Sequence, residues 1–135
     1  MYLLKKQFAK FAASGMVGFV ADSSMLYMLL ALGLGWYVGR LLSFLSAVFV
    51  TWRINRRHTF PQGDRPASWS EFGRYLLAMS AGGACNYAAY VLALRLLQVP
   101  PSIKPLLGVA VGSLAGMVVN FIGAKWWVFH RRRAA

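Results

Sequence analysis

A stripe of small residues is written twice along this chain, each time on an apolar segment that ends in basic and aromatic residues. Gly39, Ser43, Ala47 and Thr51 recur 69 positions later as Gly108, Gly112, Gly116 and Asn120, and the endings Thr59-Phe60 and Val128-Phe129 keep that offset. Upstream the offset is 64, so that Phe8, Phe11, Gly18 and Asp22 correspond to Phe72, Tyr75, Gly82 and Asn86. The difference falls between the two helices of each half, where the second half has the longer connection, residues 98–104. Four-residue spacing puts each stripe on one helix face. A duplicated pair of apolar helices reads as two tandem, parallel-repeat membrane hairpins, with function to be sought where the halves face each other.

Composition separates a membrane protein from a soluble one. The chain is 59% hydrophobic and has three acidic residues, Asp22, Asp64 and Glu71, against fifteen Lys and Arg. Soluble domains carry far more mixed charge. A bilayer core about 30 Å thick needs roughly 20 helical residues per crossing. The uncharged stretches therefore predict a single all-α domain over residues 1–135 with four transmembrane helices, near 9–31, 36–54, 72–96 and 103–126, in repeat halves 8–60 and 72–129. The second helix reaches spanning length only with Trp36 to Gly39 and the stem of Arg40, whose guanidinium snorkels to the interface.

Charge sets the expected orientation. Twelve cations fall on one side of the four-helix layout, and only Arg40, Arg95 and Lys104 on the other. The positive-inside rule then places both termini and the middle loop in the cytoplasm, with the protein in the cytoplasmic (inner) membrane. The first segment contains Asp22 and has no small-residue cleavage site after a short apolar core, so it reads as retained rather than as a signal peptide. Cys85 stands alone and can form no intramolecular disulfide. A nucleic-acid partner is not expected, because the cations lie at membrane edges. Most of them suit anionic headgroups, at about 1 kcal/mol each near the surface. The run Arg53-Ile-Asn55-Arg56-Arg57-His58 crowds one helix end and fits either a topology anchor or a phosphate site.

The polar residues inside the spans are few. Asp22 lies twelve positions beyond Lys10, and Asn86 twelve beyond Arg74. At 1.5 Å per residue each is about 18 Å deep, near the bilayer centre. Either they bond each other or Ser23, Ser24 and Ser80 and fix the bundle, or they form an intramembrane polar path. The small stripes are expected to pack the second and fourth helices closely, since close backbone approach drives association in lipid.

The order Phe8-x-x-Phe11-x-x-x-Gly15-x-x-Gly18-x-x-x-Asp22, the helix ending Thr51-Trp-Arg53-Ile-Asn55-Arg56-Arg57-His-Thr-Phe60, and the second ending Asn120-Phe121-x-x-x-Lys125-Trp-Trp-Val-Phe129 together resemble the GtrA-like family. The resemblance runs from about Phe8 to Phe129. Two positions depart from the family pattern: Thr51-Trp52 replaces Asn-Phe, and Gly108 stands near a position that is often basic, with Lys104 one turn earlier. The resemblance implies a four-helix membrane protein that handles polyprenyl-phosphate-linked sugars, by flipping them across the membrane or by assisting the glycosyltransferase that makes them. It implies that Arg53, Arg56 and Lys125 bind the lipid phosphate, with Asn55 and Asn120 adding hydrogen bonds. Asp22 and Asn86 would offer a midway partner, and Arg40 and Lys104 would receive the phosphate on the far side.

Nothing in the sequence points to an enzyme, a cofactor or a metal. His58 and His130 have no nucleophile or ligand cluster beside them, and no glycine-rich phosphate loop is present. Two other readings stay open: a membrane subunit that anchors or assists a cytoplasmic glycosyltransferase, and a proton-coupled exporter of the small multidrug resistance type, against which the charge bias and the duplication count. A homo-oligomer is compatible with the glycine stripes. The middle loop reads as a turn over residues 61–66 followed by a capping box, Ser68-x-x-Glu71. The orientation predicts that a cytoplasm-dependent reporter fused after Phe129 is active and the same reporter inserted at Pro100 is inactive; the reverse pattern would invert the layout.

Overall fold

The computed structural model describes residues 1–130, and within its helices the side chains at 36, 37, 40, 90, 104–106, 108 and 109 lie outside the described residues. Regular structure among the described residues is entirely helical. Helix α1 spans Tyr2–Ala31, α2 Trp36–Ile54, α3 Trp69–Leu96 and α4 Lys104–Ile122. Helices α2 and α4 each run on into a π-helical turn, Asn55–Thr59 and Gly123–Val128.

Local chemistry explains the boundaries. Helix α1 stops in a Schellman motif: Leu34 N–H donates to Leu29 O and Gly33 N–H to Leu30 O, both at 3.0 Å. That closure needs a left-handed residue, which Gly33 supplies at φ +88°. At its other end α1 starts seven residues before the apolar run, because exposed Lys5 and Lys6 sit comfortably on a helix outside the hydrocarbon. Helix α3 starts at Trp69 because Ser68 caps it, its Oγ accepting from Glu71 N–H at 3.1 Å. In the preceding loop Gly63 turns the chain at φ +63°.

The chain forms two compact units, Met1–Leu76 and Leu77–His130, which divide inside α3. Among the described residues, three helical segments are long and apolar enough to cross a membrane: Tyr2–Ala31, Trp69–Leu96 and Ala110–Val128.

Each hairpin is closed by a glycine notch. In the first unit, a Cβ at Gly18 would lie 2.5 Å from Thr51 Cγ2, with Ala47 O at 3.9 Å. In the second unit, a Cβ at Gly82 would overlap the Asn120 side chain and lie 2.9 Å from Gly116 O. The lock is reciprocal there, since a Cβ at Gly116 would lie 2.8 Å from Asn86 Cβ. Within each unit the small stripe thus lies against the preceding helix of its own hairpin. Gly18 and Gly82 match at offset 64, and Thr51 and Asn120 at offset 69, so the contact is itself a repeat.

Gly82→Ala is expected to cost about 1–3 kcal/mol through overpacking. Gly83→Ala, where an added Cβ meets nothing within 4 Å, should be neutral or stabilising by up to about 1 kcal/mol. Thermal unfolding in detergent compares the two, and equal stabilities would refute the notch.

Candidate functional site

The basic run after α2 is the densest chemistry in the first unit, and the π turn organises it. Phe60 N–H donates to Asn55 O at 2.7 Å, an i+5 bond that widens the last turn. Inside this turn Asn55 is fully buried: its amide donates to Tyr75 Oη at 2.9 Å and its Oδ1 accepts from Thr59 Oγ1 at 2.8 Å. The turn also leaves carbonyls without helical partners, and Lys10 of α1 satisfies one by donating to His58 O at 3.0 Å.

One carboxylate ties the end of α2 to the start of α3. Glu71 Oε1 accepts from Trp52 Nε1 and from Arg56 Nε, both at 2.8 Å. Arg56 also donates through Nη2 to Arg65 O at 2.5 Å. The Arg56 and Glu71 side chains are 14% and 6% exposed, so the ion pair is largely out of solvent. Phe49, Trp52, Trp69 and Phe72 pack around it, with Trp52 and Phe72 centroids 5.2 Å apart and Phe49 and Phe72 at 5.7 Å. Such ring pairs contribute about 0.5–1.5 kcal/mol each beyond area burial.

The cations of the run therefore separate into two kinds. Arg56 is fixed inward, whereas Arg53, Arg57 and His58 are exposed. Arg53 is exposed and lies over the Trp52 ring, its Cζ 5.8 Å from the centroid.

The second unit repeats the arrangement with other residues. Phe129 N–H donates to Ala124 O at 2.8 Å, the same i+5 closure 69 positions on. Lys125, the counterpart of Arg56, lies 5.3 Å from the Trp126 ring centroid and 5.9 Å from that of Phe121. Asn120 sits in the Gly82 notch, and its Oδ1 is buried without a hydrogen-bond partner. Asn86 fills the Gly116 notch from α3. Asp22 is half-buried on α1, one turn beyond the Gly18 notch.

Sequence-predicted residues thus fall into distinct settings. Asn86 and Asn120 are brought together in one interlock. Asn55 and Arg56 are neighbours in a closed network, while Arg53 faces outward beside them. Arg40 and Lys104 have side chains outside the described residues, as do Arg131, Arg132 and Arg133. Glu71 and Tyr75 went unrecognised as partners of this cluster. In the sequence Glu71 reads only as half of a capping box; the Ser68 bond of that box is present, but the Glu71 carboxylate turns to Trp52 and Arg56. The usable signal was scarcity: one of three acids in a chain of net charge +12 stands at a basic mouth. Among the described residues no group of three or more His, Cys, Asp or Glu is placed to hold a metal ion.

A family model described as GtrA/DPMS, transmembrane domain, matches residues 10–129. No curated protein matches the chain significantly.

Removing one partner of a buried ion pair leaves an uncompensated charge, so Glu71→Ala is expected to cost about 3–5 kcal/mol. The double variant Arg56→Met, Glu71→Leu should recover much of that loss. Chemical unfolding of the single and double variants makes the test, and additive losses would argue against the pair.

Proposed function

The chain belongs to the GtrA/DPMS transmembrane domain family and is a membrane protein, and from that premise we propose that it flips a polyprenyl-phosphate-linked sugar across the cytoplasmic membrane for cell-surface polysaccharide synthesis or modification. In this reading α1 to α4 all cross the bilayer, both termini and the middle loop face the cytoplasm, and no covalent chemistry takes place.

The observation that carries the reading is the repeated helix ending. Each half closes on an i+5 turn with a cation against an aromatic face, Arg53 on Trp52 and Lys125 on Trp126. A lipid phosphate is held by directed donors at headgroup level, and a sugar stacks on exposed rings such as Trp126 and Trp127, both about half exposed. Arg53 is the primary phosphate ligand on the first half and Lys125 on the second. Arg56 and Asn55 act at one remove, by holding the turn that presents Arg53. Inside the membrane, Asp22, Asn86 and the open acceptor on Asn120 supply polar partners for a headgroup in passage while the prenyl chain stays in lipid. Arg40 and Lys104 complete the path on the far side.

A second reading has one observation in its favour. Asn55 and Arg56 are committed to structural bonds and Asn86 is wedged in a glycine notch, which suits a rigid membrane subunit that presents the lipid to a glycosyltransferase. A homo-oligomer is compatible with both readings.

The test is flipping of a fluorescent polyprenyl-phosphate sugar in liposomes, read with a membrane-impermeant quencher. Wild-type protein should expose the inner-leaflet pool. Arg53→Ala should slow this about 10–100-fold, the equivalent of losing charge-assisted bonds of about 1.5–3 kcal/mol. Asp22→Asn should slow it less if the acid serves only as a polar partner. Lipid binding by folded wild type without any flipping would move the assignment to the accessory subunit.

A further inference from the structure

We infer that a groove between α1 and α2 seats the isoprenoid chain of an anionic lipid whose phosphate is held by Arg53, a site that rests on the lipid-phosphate reading above. The groove lies wholly in the first unit and is broadly open, with a volume of about 640 Å³, within the range of roughly 300–1,000 Å³ that ligand sites occupy. Met25 and Leu29 form one wall from α1, and Leu42, Leu45, Phe49 and Val50 form the other from α2. Phe72 from the start of α3 closes one end.

The lining chemistry selects hydrocarbon. Ser46 is its one polar side chain, and its Oγ donates to Leu42 O at 2.8 Å, so it offers no hydrogen to a ligand. Its oxygen can still accept, but the acceptors of a sugar and the charge of an anion would find no donor among these side chains. Leu42 and Phe49 are nevertheless 39% and 40% exposed, so the wall is open to an occupant.

The direction of the groove selects which hydrocarbon. Phe49 and Val50 lie three and four residues beyond Ser46, and Arg53 lies four and three beyond them, so these positions share one face of α2. An occupant lying along that face therefore has its end beneath the Arg53 guanidinium, which is exposed and cationic. That calls for a chain with an anion at its end. Apolar transfer gives no reason to leave the bilayer for an apolar groove, since lipid tails are as apolar as leucine. Retention has to come from shape, and regularly branched isoprene units that mesh between side-chain ridges make more close contacts than a smooth, saturated chain.

The experiment uses the full chain in phosphatidylcholine nanodiscs and a polyprenyl monophosphate carrying a diazirine on a mid-chain isoprene. Photolabelling of wild type should map to the segments 25–29 and 42–50, and unlabelled polyprenyl monophosphate should suppress it at least tenfold more effectively than a straight-chain alkyl phosphate of equal length. Leu42→Trp and Ser46→Phe, which fill the groove from exposed or half-buried positions, should each reduce labelling about tenfold. Labelling that maps to other segments, equal competition by the straight-chain phosphate, or indifference of both folded variants would overturn the groove alone. If wild type takes up no label anywhere, the lipid-phosphate reading falls, and this site with it.

Discussion

Close backbone contact through glycine is the constraint on which the rest of this protein depends. In water, a hairpin of apolar helices would be pressed together by solvent, but in lipid that drive is missing and dispersion across a short interaxial distance has to replace it. Gly18 and Gly82 make that distance possible, because a Cβ at either position would run into the facing helix. The notch does more than allow approach. It determines that a polar residue on the second helix, Thr51 or Asn120, is drawn into the interface instead of facing lipid. The two fillings differ: Thr51 presents its methyl to Gly18 while its hydroxyl donates to Val48 O at 3.1 Å, whereas Asn120 brings its amide against Gly82.

The basic mouth of the first unit illustrates a second rule, that a cluster of like charges does not act as a uniform patch. A guanidinium at low exposure needs a carboxylate, and Glu71 supplies it to Arg56 while also accepting from Trp52. With Arg56 neutralised and fixed, Arg53 and Arg57 are left as the arginines that meet the surroundings, and of these Arg53 lies against an aromatic face. Its position over Trp52 limits its rotamers, and Trp52 is held by the same carboxylate. The acid thus orients a cation that it does not touch.

Much of this was legible in the sequence and some was not, for identifiable reasons. The repeat, the helical class, the end of α1, both ends of α2 and the start of α3 followed from apolar runs and from Ser68 with Glu71, because these signals are local in the chain, whereas α1 starts earlier than its apolar run because charged residues also sit on a helix. The π turns left no such trace: Asn55 to Thr59 and Gly123 to Val128 share little composition, and only the cations Arg56 and Lys125 and the following Phe60 and Phe129 mark them as equivalents. The roles of Arg53 and Arg56 were also hidden. They are three residues apart with the same charge, and what separates them is a partner fifteen positions beyond Arg56 across a loop. Asn120 reads in the sequence as part of a headgroup site because it precedes aromatic and basic residues, yet its amide is turned into the glycine of its own hairpin.

The boundary between the two units lies within α3, not in the loop that joins the repeats. A hairpin ending at Phe60 would keep its glycine notch and its i+5 turn but would lose Glu71 and Tyr75, leaving the Trp52 indole, the Arg56 guanidinium and the Asn55 amide without the partners they have here. The opening of the second copy therefore completes the ending of the first, and a fragment of this chain that keeps these bonds has to extend through Tyr75, well into the second repeat.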